Sequence, residues 1–299
     1  MTGGPRNGGA HPPRPNFALT VGVTGHRAEA LPDGALDAVR GRIGWALDVL
    51  RTEALAIAER EGEFFGPEPP ALVLVSPLAS GTDQLAARAA RDRGWALQAI
   101  LPYASEPYRA KQGPERLAEF DALAAEASCL LELPGDPADP LDAYVMVGRA
   151  TVAHCDLLIA VWDGLPARGR GGTAETIDLA LSAGVPVLHL PVTQDREPLL
   201  LWEAFDPTVV THRGNRLPGR PATAEAISSV LAAILAPPQS EQERDFVRRF
   251  LAENDRHRRL RIEYPLLMTL AGVHRLSRKD VSARPAREAN RTEWQTYKE

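Results

Sequence analysis

Three short stretches set glycine beside small hydroxyl residues and charge, the combination from which an anion site is built. The first, "VGVTGHRAE" (21–29), ends a β-branched run at Thr24 and Gly25, with His26 and Arg27 following. Glycine lets the main chain approach a ligand closely, and Arg27 offers a planar fork of donors suited to phosphate or carboxylate. The second, "SPLASGTDQLAARAA" (76–90), places Ser80, Gly81, Thr82 and Asp83 where a strand hands over to a helix. Free N–H groups and the positive dipole end collect there, ready for an anion. The same residue types are also ordinary helix caps. Asp83 is itself negative and better suits a ribose hydroxyl, or the orienting of Arg27.

The third stretch is "DGLPARGRGGTAETIDLALSAG" (163–184). Asp163 and Gly164 close a strand; Gly169, Gly171 and Gly172 then lead into Thr173 and Glu175, with Arg168 and Arg170 adding positive charge. Three glycines in four positions cost chain entropy, which argues for a main chain shaped around a guest rather than a plain loop. The expected ligand set is therefore Thr24, Gly25, His26, Arg27, Ser80, Gly81, Thr82, Asp83, Asp163, Gly164, Gly171, Gly172, Thr173 and Glu175.

Short apolar runs alternate with amphipathic ones, and this alternation must position the three turns. Strands are predicted at 17–25, 71–79, 95–102, 128–135, 156–164 and 185–192, with helices between them, including 34–61 and 173–183. Alternating strands and helices with continuous apolar strands imply an α/β fold: a three-layer Rossmann-like parallel sheet with helices on both faces. Ligands of such sheets bind at the carboxyl ends of the strands, near the switch in strand order, and each glycine turn follows such an end. Tyr103 is read as cover for the sheet edge rather than a base-stacking platform.

The chain divides into a Gly/Pro-rich leader expected to be disordered (1–16), a nucleotide-binding domain (17–237) and a charged helical extension with a polar tail (238–299). Net charge is −5, from 34 basic and 39 acidic residues, which argues against a general nucleic-acid surface. Two cysteines, Cys129 and Cys155, stand outside any CxxC pair, so neither a zinc site nor a disulfide framework is suggested. Both are read as small buried apolar residues in a reducing, cytoplasmic compartment. No membrane segment is expected: the longest apolar stretch, 264–273, is too short to span a bilayer. No metal cluster, GxGxxG fingerprint or GxxxxGK[ST] loop is present, and no cofactor is implied.

The motifs "VGVTGHR", "SPLASGTDQLAARAA" and "CDLLIAVWDGLPARGRGGTAETI" together resemble the SLOG superfamily, over roughly residues 17 to 195. That superfamily contains the Lonely-guy (LOG) phosphoribohydrolases, DprA and sensor domains of bacterial conflict systems. The resemblance is greatest to the sensor-type members. It implies a Rossmann-like domain that binds a nucleotide or nucleotide-derived signal, possessing a homodimeric or higher oligomeric state and passing the signal through its C-terminal helix to an effector. A DprA-like role in DNA binding is a further alternative. Similarity to LOG enzymes implies a second activity, N-glycosidic hydrolysis of nucleoside monophosphates, with Arg149 and Glu175 as the catalytic pair. Against the LOG pattern PGGxGTxxE, the glutamate position falls on Thr176, and Glu175 lies one residue early. That is about 100° around a helix. The lysine of the LOG MxxRK pattern is replaced by Ala150.

Overall fold

The structure is a computed structural model of the 299-residue chain and describes residues 14–32, 34–166, 170–193, 195–205 and 219–251. The leader call covers 1–16, and most of it lies outside the described residues, as do Arg168, Gly169 and the polar tail beyond 251. The chain separates into two compact units, Pro15–Gln239 and the two chain ends beyond it.

Among the described residues of the large unit, eight strands form one sheet: β1 (Ala18–Gly25), β2 (Ala71–Ser76), β3 (Ala96–Leu101), β4 (Cys129–Glu132), β5 (Leu157–Trp162), β6 (Val187–Pro191), β7 (Leu199–Leu201) and β8 (Gly219–Pro221). Their order across the sheet is β4-β3-β2-β1-β5-β6-β7-β8. The pairings from β4 through β6 are parallel, whereas β6–β7 and β7–β8 are antiparallel. The two antiparallel strands are absent from the sequence reading. At three residues each they are too short to carry a periodic signal. Pro221 is tolerated because it sits on the outermost strand.

Helices α1 (Ala35–Arg60), α2 (Thr82–Arg91), α3 (Ser105–Ala110) and α4 (Pro114–Glu126) serve the connections leading from β1 out to β4. The chain then returns through α5 (Pro140–Ala153) to β5 on the other side of β1, and continues through α6 (Thr173–Ser182) to β6. Successive β5 residues therefore feed different cores. Leu157, Ile159 and Val161 join the large cluster with α1, α2, α4 and α7 (Ala224–Leu235). Leu158 and Ala160 join a smaller cluster with α5 and α6. This reversal between β1 and β5 opens a crevice at their carboxyl ends.

Sheet edges depart from expectation at one point. All four residues of β4 are exposed, Leu131 at 42%. Cys129 is therefore an exposed thiol and not the buried one predicted, because only β3 flanks its strand. Cys155 is partly buried, and burial pushes its thiol up to about 12. In the other unit, α8 (Glu241–Leu251) carries Phe246 and Phe250 with both rings exposed. Among the described residues no helix is long and apolar enough to cross a membrane.

Gly81 ties α2 to the end of β1. Its φ is +96°, and an added Cβ would lie 2.4 Å from the Ala28 nitrogen and 2.8 Å from the His26 oxygen, both main-chain atoms that cannot swing aside. Gly81→Ala is expected to destabilise the domain by about 3 kcal/mol, combining positive-φ strain with a main-chain clash. Urea denaturation against the native chain measures this.

Candidate functional site

A cavity of about 390 Å³ lies at the switch in strand order. Its walls include Thr24 and Gly25 ending β1, His26 and Arg27 after it, Asp83 of α2, Trp162 ending β5, Asp163 after it, and Arg170 to Ala174 opening α6. Two further walls come from residues that the sequence reading does not single out for the crevice: Tyr108 of α3, and Tyr144, Val147, Gly148 and Thr151 of α5, the helix that carries Arg149. A glycine in mid-helix, Gly148, is the only signal of close approach that the sequence offers there. Nothing local marks Tyr144.

The first turn is pinned by hydrogen bonds. His26 N–H donates to the Val161 oxygen at 3.3 Å, continuing the β1–β5 ladder by one residue. The His26 ring Nε2 accepts the Asp163 N–H at 3.2 Å, so the imidazole braces the end of β5. An added Cβ at Gly25 would lie 2.5 Å from Thr82 Cγ2, so only glycine lets α2 come this close.

The second turn behaves differently from expectation. Thr82 donates both its N–H, at 3.2 Å, and its hydroxyl, at 2.9 Å, to the His26 oxygen. Ser80, Gly81 and Thr82 do not line the cavity, whereas Pro77, Ala79 and Asp83 do. This turn is strained at Leu78, a buried leucine at φ +57°. Ser76 Oγ holds it by accepting the Leu78 N–H at 3.1 Å, and Gln84 Nε2 donates to the Leu78 oxygen at 3.2 Å. The hydroxyl and amide of Thr82, which read as part of an anion cradle, are thus spent on the scaffold.

In the third turn Gly171, Gly172 and Thr173 line the cavity, and Gly164 stands exposed outside its lining. Gly171 (φ +75°) lies against α5, where an added Cβ would be 2.8 Å from Tyr144 Cβ. Its N–H donates to Glu175 Oε2 at 2.5 Å. Gly172 is the N-cap of α6 and provides no side-chain cap. The amides of the first helical turn, from Gly172 to Ala174, have no upstream carbonyl to reach. Arg170 bridges to Asp142 of α5 at 2.8 Å, with both side chains exposed.

Charges in the cavity are mixed. The Arg27 guanidinium, exposed at the mouth, stands 5.1 Å from the Tyr144 ring centre. Desolvation, the largest single influence, opposes its charge, but the hydrogen bond to Tyr144 together with the electrostatic pull of Tyr144, Tyr108 and Asp83 keeps its pKa above the ordinary value. Tyr144 shifts oppositely: desolvation raises it, and its contacts with Arg27 and Tyr103 bring it below the usual phenol value. Asp83 is 7% exposed, and burial pushes its carboxyl up to about 7 against the opposing effects of the Ala79 N–H and Arg27. Tyr103 is fully buried and packs edge-on to Tyr108, with ring centres 5.5 Å apart, so it is structural.

Arg149 and Glu175 lie together but elsewhere, lining a second cavity of about 220 Å³ with Asp178 and Ser182. Gly148, Gly171 and Thr176 line both cavities and form the partition between them. The structure therefore does not bring that pair to the crevice that Arg27 and Asp83 line. Among the described residues no group of His, Cys, Asp and Glu is arranged to hold a metal.

The chain matches no protein-family model and no curated protein. Among solved structures it is similar to a structural-genomics target, TM1055, with TM-score 0.34 and 17% identity over 56% of this chain and 72% of that one. It is also similar to DNA processing protein A (DprA) from Streptococcus pneumoniae, with TM-score 0.38 and 19% identity over 60% of this chain. The chain spans 52% of the length of that DprA chain. The α/β assignment rests on the strand order and pairing described above.

Two outcomes test this site. A carboxyl raised from 3.8 to about 7 on folding binds its proton more tightly in the native state. Its contribution to stability is therefore full below pH 3.8 and is lost as pH rises to 7, at roughly 1.4 kcal/mol per pH unit crossed. Asp83→Asn is expected to remove this slope in denaturation curves taken from pH 4 to 8. Glu175→Ala, by leaving the Gly171 N–H without its acceptor, is expected to cost about 1 to 2 kcal/mol by the same measurement. Glu175→Gln is expected to recover most of that loss.

Proposed function

We propose that the chain binds a phosphorylated, nucleotide-type ligand in the crevice between the ends of β1 and β5, as a SLOG-type sensor domain rather than as a hydrolase. The observation that carries this reading is the convergence of Arg27, Arg170 and the α6 amides from Gly172 to Ala174 on one cavity. A helix N-terminus and two guanidinium groups are what a phosphate needs. Asp163 supplies an acceptor for sugar hydroxyls, and Tyr144 with the apolar surface of Val23 and Val147 suits a base or ribose face. The volume, about 390 Å³, is of the size that holds a small ligand of this kind.

Glu175 supports binding over turnover. Its carboxylate is committed to the Gly171 amide, and it faces the second cavity together with Arg149. A role in bacterial defence, self-association and an effector reached through the C-terminal helix follow from the SLOG resemblance and belong to the same reading.

Isothermal titration with adenosine 5′-monophosphate is expected to give saturable binding, weakened about tenfold by Arg27→Ala, the loss of one charge-assisted contact. Chromatography of the same mixture is expected to recover the nucleotide intact. Release of adenine would transfer the reading to N-glycoside hydrolysis, and absence of binding across nucleoside mono-, di- and triphosphates would end it.

A further inference from the structure

The two acids of the crevice meet the cavity on different terms. Asp163 is partly exposed and its N–H is held by His26. Asp83 is buried at the second position of α2, faces the cavity, and takes the Ala79 N–H on its carboxyl. The groups that face it come from three directions. Arg27 approaches from the segment after β1, and Tyr108 from α3. Tyr144 of α5, with Tyr103 behind it, acts on Asp83 through Arg27. Among the described residues, Arg27 is the one charged group that acts on the Asp83 carboxyl. His26, Asp163 and Arg170 complete the charged and titratable lining of the cavity.

A phosphate drawn to Arg27 must therefore sit in the same cavity as Asp83. Two negative groups in one sparsely solvated site cannot both stay ionised without cost. The carboxyl already gives up its charge at about 7, so the cost of neutralising it is small.

We propose that the crevice takes up its anionic ligand together with one proton held on Asp83, making Asp83 the residue that decides when a phosphate can sit beside Arg27. This rests on the reading of the crevice as an anion site. The proton comes from solvent. Ionised Asp83 offsets part of the Arg27 charge in the cavity and repels the guest; neutral Asp83 leaves the field of Arg27 to the phosphate and offers its own O–H to a phosphate oxygen. The site is thereby specific for ligands that accept hydrogen bonds at that oxygen, and binding strengthens as pH falls.

The test uses the full chain and two probes, adenosine 5′-monophosphate and inorganic sulfate. The phosphate of the nucleotide gains charge near pH 6, which would strengthen binding as pH rises. Sulfate keeps its charge and isolates the protein's own titration. The dissociation constant for sulfate is expected to rise about tenfold from pH 6 to pH 8, and most of that slope is expected to vanish in Asp83→Asn. Should the variant not fold, carboxyl ¹³C NMR of the native chain at pH 8 replaces it, with the Asp83 resonance moving to its protonated position when sulfate is added. Sulfate binding with no pH dependence, a full slope retained in Asp83→Asn, or an Asp83 resonance that stays ionised in the bound state overturns the proposal alone. Sulfate binding with the expected slope but no nucleotide binding leaves the proposal standing and removes the nucleotide reading. If neither probe binds at pH 6, both fall.

Discussion

The His26 carbonyl is the seam of this molecule. It accepts two hydrogen bonds from Thr82, one from the amide and one from the hydroxyl, and so fixes the N-terminus of α2 to the chain leaving β1. The residues on either side are then constrained. Gly25 must lack a side chain because Thr82 stands against it, and Gly81 must take a positive φ to bring Thr82 there. Arg27 and Asp83 reach the same cavity because this junction leaves them one on each side of it. Remove the junction and the crevice loses a wall, its cation and its buried acid together.

A second contact of the same kind closes the opposite side. Gly171 lies against the α5 main chain at Tyr144 and Val145, and its amide is held by Glu175. In both places a glycine allows one element to touch another without an intervening side chain. The crevice is accordingly bounded in part by main chain, at Gly25 and at Gly171 and Gly172, whose positions the fold fixes. Such preorganisation lowers the ordering cost of association.

Electrostatically the site is balanced rather than basic, with Arg27 and Arg170 facing Asp83 and Asp163. The burial of Asp83 changes the sense of that balance. A carboxyl that gives up its charge near neutral pH lets the cavity become cationic without any movement of the fold. The overall charge of −5 is therefore a poor guide to what the crevice attracts.

Much of this architecture is legible in the chain itself, since continuous apolar strands between amphipathic stretches can be buried only in a parallel sheet with helices on both faces. Gly25, Gly171 and Gly172 identify the carboxyl ends where main chain lies open. The sequence alone could not say which partner would use each hydrogen-bonding group. Ser80, Gly81 and Thr82 read locally like a cradle, yet Thr82 serves His26, 56 positions away. Tyr108 and Tyr144 carry no local mark, because a tyrosine on a helix joins a site only when the chain reversal after β4 brings that helix across the sheet. Arg149 and Glu175 share a cavity, but Gly148 and Thr176 put it on the far side of a partition. Cys129 looks buried by composition and is exposed because β4 ends the sheet. Local pattern dictates what each residue can do; the sheet order, a long-range property, settled which neighbour it does it with.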